Sequence, residues 1–93
     1  MATKTVVIGS ASGLHARPAK LFVQAATAAD AEVRVSTGGK PFVPARSLLA
    51  VMALGAKQGA EVTLEADGPH AAEVLESLGA LLERDLDAEE ADA

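Results

Sequence analysis

The stretch Val6-Val7-Ile8-Gly9-Ser10-Ala11-Ser12-Gly13-Leu14-His15-Ala16-Arg17-Pro18 decides how the rest of the chain is read. It opens on three β-branched residues, so Thr3 to Gly9 reads as a strand, expected at the centre of a sheet. Gly9, Ser10, Ser12 and Gly13 break that strand. Pro18 has no backbone N–H and is tolerated only in a first helical turn, so a helix must start close to His15. Leu21, Phe22, Ala25 and Ala26 recur at the spacing of one buried face and carry that helix from Ala16 to Ala29.

Downstream, Ala31 to Thr37 alternates Val33 and Val35 with Glu32, Arg34 and Ser36, the period of a strand with one wet face. Gly38-Gly39 turns the chain into a partner strand, Lys40 to Val43. Pro41 and Pro44 each remove a ladder donor, so that partner is expected to be short and at an edge. Ser47 to Leu54 carries apolar residues at helical spacing, with Ser47 placed to cap the start and Gly55 to end it. Ala60 to Ala66 gives the last strand, with Glu61 and Glu65 on the wet side, and Asp67-Gly68-Pro69 closes it. The longest helix runs from Ala71 to about Asp85 on a stripe of Val74, Leu75, Leu78, Leu81 and Leu82. Residues 87–93 hold four acids and no large apolar side chain, and are expected to be a frayed acidic tail. The order βαββαβα, with helices that must share one apolar sheet face, predicts an α+β fold: a four-stranded, mainly antiparallel sheet with three helices on one side.

The 93 residues fit a single domain, 1–93, with little surface to bury. Aromatic residues make up only 2% of the chain, so the core is aliphatic and base stacking on nucleic acid is not expected. There is no cysteine, hence no disulfide or thiolate–metal chemistry. The N-terminal residues lack the apolar run of a signal peptide and no stretch is long enough to span a bilayer, so a soluble cytoplasmic protein, with no membrane insertion, is expected. Charge is uneven: residues 1–59 carry seven Lys or Arg against two acids, a net of +5, whereas residues 60–93 net −10. The basic front half suits an anionic ligand or an acidic partner.

A helix start preceded by glycines and carrying His15 and Arg17 is an anion site in outline. First-turn N–H groups, here at Ala16 and Arg17, and the helix dipole hold a phosphate, and Arg17 offers a forked donor. The positive helix end disfavours imidazolium, which leaves the His15 ring neutral with a lone pair for nucleophilic attack. The competing reading is a histidine that only caps the helix. No nucleotide-binding loop and no His, Asp and Glu cluster at metal-ligand spacing is present, so neither cofactor nor metal is expected and any phosphoryl donor must be a partner protein. Ser47 is first an N-cap, and also a hydroxyl beside Arg46 where an added phosphate would change the local charge. His70, next to Asp67, reads as a turn or cap residue.

The run Gly13-Leu14-His15-Ala16-Arg17-Pro18-Ala19 closely resembles the active-site signature of HPr, the histidine-containing phosphocarrier family of the bacterial phosphotransferase system. The run Arg46 to Gly55, followed by Lys57-Gln58-Gly59-Ala60-Glu61, resembles the family's regulatory-serine helix and the strand entry after it. Chain length and the order of elements agree with both motifs, so the resemblance covers nearly the whole chain. The resemblance implies an open-faced β-sandwich in which His15 Nδ1 takes a phosphoryl group from phospho-enzyme I, charged by phosphoenolpyruvate. The group then passes to the A domain of a sugar permease. It also implies that Arg17 contacts the phosphoryl group, that Ser47 is the regulatory site for a kinase or a transcriptional regulator, and that the two helices after His15 and Ser47 form a docking face. The spare apolar surface at Leu48, Leu49 and Met52, rimmed by Lys20, Arg46 and Lys57, fits such a face. A monomer that carries the group without turning over a substrate of its own is expected. Arg46, Leu48-Leu49, Pro41, Pro44 and one apparent extra residue depart from the common family pattern around Ser47. A regulatory adaptor whose phosphorylation state is read by a partner, and a phosphatase working through phospho-His15, are the other functions considered.

Overall fold

The structure, a computed structural model, describes residues 2–9, 13–14, 16–29 and 31–84. The elements follow the expected order: β1 (Ala2–Val7), α1 (Ala16–Ala28), β2 (Glu32–Thr37), β3 (Val43–Pro44), α2 (Leu48–Ala53), β4 (Glu61–Asp67) and α3 (Ala71–Glu83). Helix α3 stops at Glu83, since Arg84 is already extended at φ −79° and ψ 151°, and the tail expected over 87–93 lies outside the described residues.

All four strands form one antiparallel sheet in the order β1-β4-β2-β3. The central strands are therefore β4 and β2, and the expectation of a central β1 is corrected: among the described residues β1 lies at an edge and pairs with β4 alone. Its β-branched run is no guide to lateral position, because only one face of β1 is buried. Val6 is 3% exposed, while Val7, its neighbour on the other face, is 46% exposed.

The second correction concerns β3. It spans Val43–Pro44, facing Val35 and Arg34, rather than Lys40 to Val43. Residues before it are occupied in closing the turn: Lys40 N–H donates to Thr37 O at 3.0 Å and Ser36 Oγ donates to Lys40 O. Pro41 has no N–H with which to extend the ladder. The expected consequence of the prolines, a short edge strand, is what the sheet shows.

Register places Val6, Val33, Val35, Val62, Leu64 and Ala66 on the face that carries the helices, where they join Phe22, Leu75, Leu78 and Leu82 in one core. Burying each such large side chain contributes roughly 1.5–3 kcal/mol. In α1 the best-buried residues are Pro18, Ala19, Phe22 and Ala26, while Leu21 and Ala25, expected on the buried face, are half-buried. Apart from Val7, the opposite sheet face is polar, as the alternation requires. There Arg34 Nε donates to Glu65 at 2.9 Å and its Nη2 to Asp67 at 2.9 Å. The bond to Asp67, then that to Glu65, holds the guanidinium pKa above its ordinary value, so Arg34 keeps its charge, and these contacts, until strongly alkaline pH.

Candidate functional site

The site is built from a loop, two helix starts and one return loop. Two glycines make the loop possible. At Gly9 an added Cβ would collide with the Glu83 carbonyl oxygen at the end of α3, and Gly9 N–H donates to Leu82 O at 2.9 Å. Gly13 has φ +69°, in the region that side chains disfavour, and a Cβ there would strike the Ala56 carbonyl oxygen. The next residue, Leu14, is buried and its N–H donates to Ala56 O at 2.8 Å.

The Ala56 to Ala60 segment holds the other side of the loop. Ile8 N–H donates to Ala60 O, Gly59 N–H donates to Ile8 O, both at 2.9 Å, and the Gln58 amide reaches Gly9 O at 3.3 Å. The chain that enters α1 is thus pinned at Gly9 and again at Gly13 and Leu14. This tether was not among the expected site residues; Gly13 and Gly59, both at positive φ, are where its two segments turn.

Helix α1 starts at Ala16, next in the chain to His15, which lies outside the described residues. Arg17 is exposed, and Pro18 occupies the third helical position. Since Pro18 contributes no N–H, the first-turn donors left by the helix itself are the backbone N–H groups of Ala16 and Arg17. No acidic residue stands in that turn. The arrangement suits an anion.

Helix α2 packs against α1. Ser47 is its N-cap: the backbone there is extended, φ −99° and ψ 110°, and Ser47 Oγ accepts the Ala50 N–H at 3.2 Å. Only Val51 within α2 is fully buried, with Leu54 buried just beyond it. Leu48 is 37% and Leu49 82% exposed, Met52 is half-buried against the core, and Lys20, Arg46 and Lys57 are exposed. The spare apolar surface expected on this helix is therefore real at Leu48 and Leu49 and partial at Met52. Lys57 follows Ala56, the residue that pins Leu14, and its Cα lies beside Gly13, while its side chain is exposed. His70 precedes α3, exposed and with no side-chain capping bond. Among the described residues there is no cluster of potential metal ligands and no helix long and apolar enough to cross a membrane.

Comparison with known proteins bears on the same residues. The family model for the PTS HPr component phosphorylation site matches residues 2–84. The phosphocarrier protein HPr of Streptomyces coelicolor is 44% identical over 87 residues, 94% of each chain, and that of Vibrio cholerae is 43% identical over 84 residues, 90% of this chain and 98% of its own. Among solved structures, the phosphocarrier protein HPr of Bacillus anthracis superposes with a TM-score of 0.82 at 37% identity, covering 87% of this chain and 95% of its own. Crh, the catabolite repression HPr of Bacillus subtilis, does so with a TM-score of 0.67 at 38% identity, covering 90% of this chain and 99% of its own. A family model that matches residues 2–84, relatives 43–44% identical over at least 90% of the chain, and a shared βαββαβα fold lead to one conclusion: the chain belongs to the HPr family of phosphocarrier proteins.

Proposed function

We propose that the protein carries a phosphoryl group on His15 between phospho-enzyme I and the A domain of a sugar permease, in the cytoplasm and without turnover of its own. The observation that carries this reading is the entry into α1. A backbone fixed by the Gly13 and Leu14 contacts with Ala56 leads directly through residue 15 into a 13-residue helix whose first-turn donors are the N–H groups of Ala16 and Arg17. The lone pair of His15 Nδ1 forms the N–P bond as the donor's bond to phosphorus breaks. The Ala16 and Arg17 N–H groups and the exposed Arg17 guanidinium then stabilise the charge on the phosphoryl oxygens. Because this site is one helix start and one arginine, it holds the group without trapping it, and the same step runs in reverse toward the next acceptor.

Docking in this reading uses Leu48, Leu49 and the exposed edge of Met52, with Lys20, Arg46 and Lys57 as a cationic rim for acidic partners. Phosphorylation of Ser47 would place about −2 charges beside Arg46 and Leu48 and weaken that docking. The likeness to Crh, named as a catabolite repression HPr, supports a second reading in which a partner reads the phosphorylation state instead of receiving the group.

Incubation with phosphoenolpyruvate, magnesium and enzyme I, followed by intact mass and acid treatment, tests the proposal. The expected result is one acid-labile phosphate, absent in a folded His15→Ala variant. Acid-labile phosphate retained in that variant would remove His15 from the chemistry. Acceptance on His15 without onward transfer to any permease A domain would select the adaptor reading.

A further inference from the structure

Lys40 lies outside the docking rim described above, yet its side chain spans from the β2–β3 turn to the end of α2, where Nζ donates to Leu54 O at 2.9 Å. Leu54 keeps helical dihedrals, φ −63° and ψ −28°, before Gly55 reverses the chain at φ +66°. Its carbonyl is therefore the last in line with the helix axis, at the negative end of the dipole. Helix α2 has six residues and no basic residue in its last turn, so it is too short to persist by itself and brings no cation of its own to that end.

The base from which Lys40 reaches is fixed. Its N–H donates to Thr37 O, its carbonyl accepts from Ser36 Oγ, the preceding Gly38 and Gly39 take positive φ, and Pro41 restricts it from the other side. Ser47 holds the start of α2 and Lys40 holds the end.

We infer that Lys40 is a positioning residue for the docking face: by binding Leu54 O it fixes the rotation and the C-terminal turn of α2, and with them the direction in which Leu48 and Leu49 are presented to partner proteins. The inference rests on the docking role assigned to α2 above. It makes a distinction that a charge on the rim would not make. A rim charge acts through long-range attraction, which salt screens strongly, whereas the Lys40 contact acts at hydrogen-bond distance, where salt weakens it less.

The test compares full-length Lys40→Met, Lys40→Gln and Lys40→Arg variants in two measurements. The first is amide hydrogen exchange at Val51 to Gly55, which is independent of phosphoryl transfer; Lys40→Met is expected to raise it, and Lys40→Gln, which keeps a donor without the charge, to restore part of the protection. The second is transfer from enzyme I at low and high salt. Lys40→Met is expected to raise KM about two- to fivefold with kcat unchanged, the range a cation at a helix C-terminus is worth, and to keep most of that effect at high salt. Lys40→Arg is expected to stay close to the parent in both. Unchanged exchange in Lys40→Met would overturn the capping role. A KM effect that vanishes at high salt, or that Lys40→Gln shows in full while protecting the helix end, would overturn the positioning role in favour of a rim charge. If the parent protein accepts no phosphoryl group, the docking reading fails while the exchange data still decide the cap.

Discussion

Helices α2 and α3 are both rich in leucine, and they use it in opposite ways. In α3, Leu75, Leu78 and Leu82 recur at three- and four-residue intervals and are each at most 2% exposed, packed on β1 and β4. In α2, the adjacent pair Leu48-Leu49 cannot lie on one face, and Leu49 is left 82% exposed while Val51 turns inward. A 13-residue helix lying across the sheet absorbs its stripe; a six-residue helix leaning on α1 does not. The difference separates leucines that stabilise the fold from leucines available to a partner, which composition treats alike.

The largest effect that tests this contrast is on stability. Leu75→Ala should destabilise the protein by about 2–5 kcal/mol in urea unfolding, through lost burial and the cavity left in a packed core. Leu49→Ala should change it by less than about 0.5 kcal/mol. Similar losses in the two variants would break the comparison. An intermediate effect belongs to the helix start: Ser47→Ala should cost about 1 kcal/mol of stability, because the Ala50 N–H loses its acceptor, and circular dichroism during unfolding would read it. The smallest effect sharpens the functional half. Leu49→Ala should raise the KM for enzyme I about two- to threefold with kcat unchanged, the signature of lost uniform binding at an exposed anchor.

Much of the scaffold was legible because its signals are local. Pro18 limited where α1 could start, Ser47 marked the start of α2, and the period-two runs of Val33 to Val35 and Val62 to Leu64 marked their strands. Around the site, Ala16 and Arg17 could be named as anion donors from the helix start alone, whereas Ala56, Gln58 and Gly59, which hold the loop, could not. Those three lie more than forty residues from the loop residues they bind, and nothing in their own neighbourhood announces the contact. Lys40 is hidden for a similar reason: in sequence it follows a diglycine turn, and only the packing of that turn beside α2 gives its ammonium a carbonyl to bind.

The sequence by itself determined the order of elements, the inward-facing positions of the strands and which residues stand at the start of α1, because capping, proline sterics and hydrophobic period act between residues close along the chain. Tertiary structure alone decided that β1 is an edge and β4 central, that β3 shrinks to Val43–Pro44, and that Leu49 stays in solvent while Leu75 does not. The physical reason is that lateral pairing and burial depend on neighbours supplied from distant parts of the chain. A strand with one wet face alternates in the same way at an edge as at the centre, and a leucine carries no mark of which neighbour will cover it.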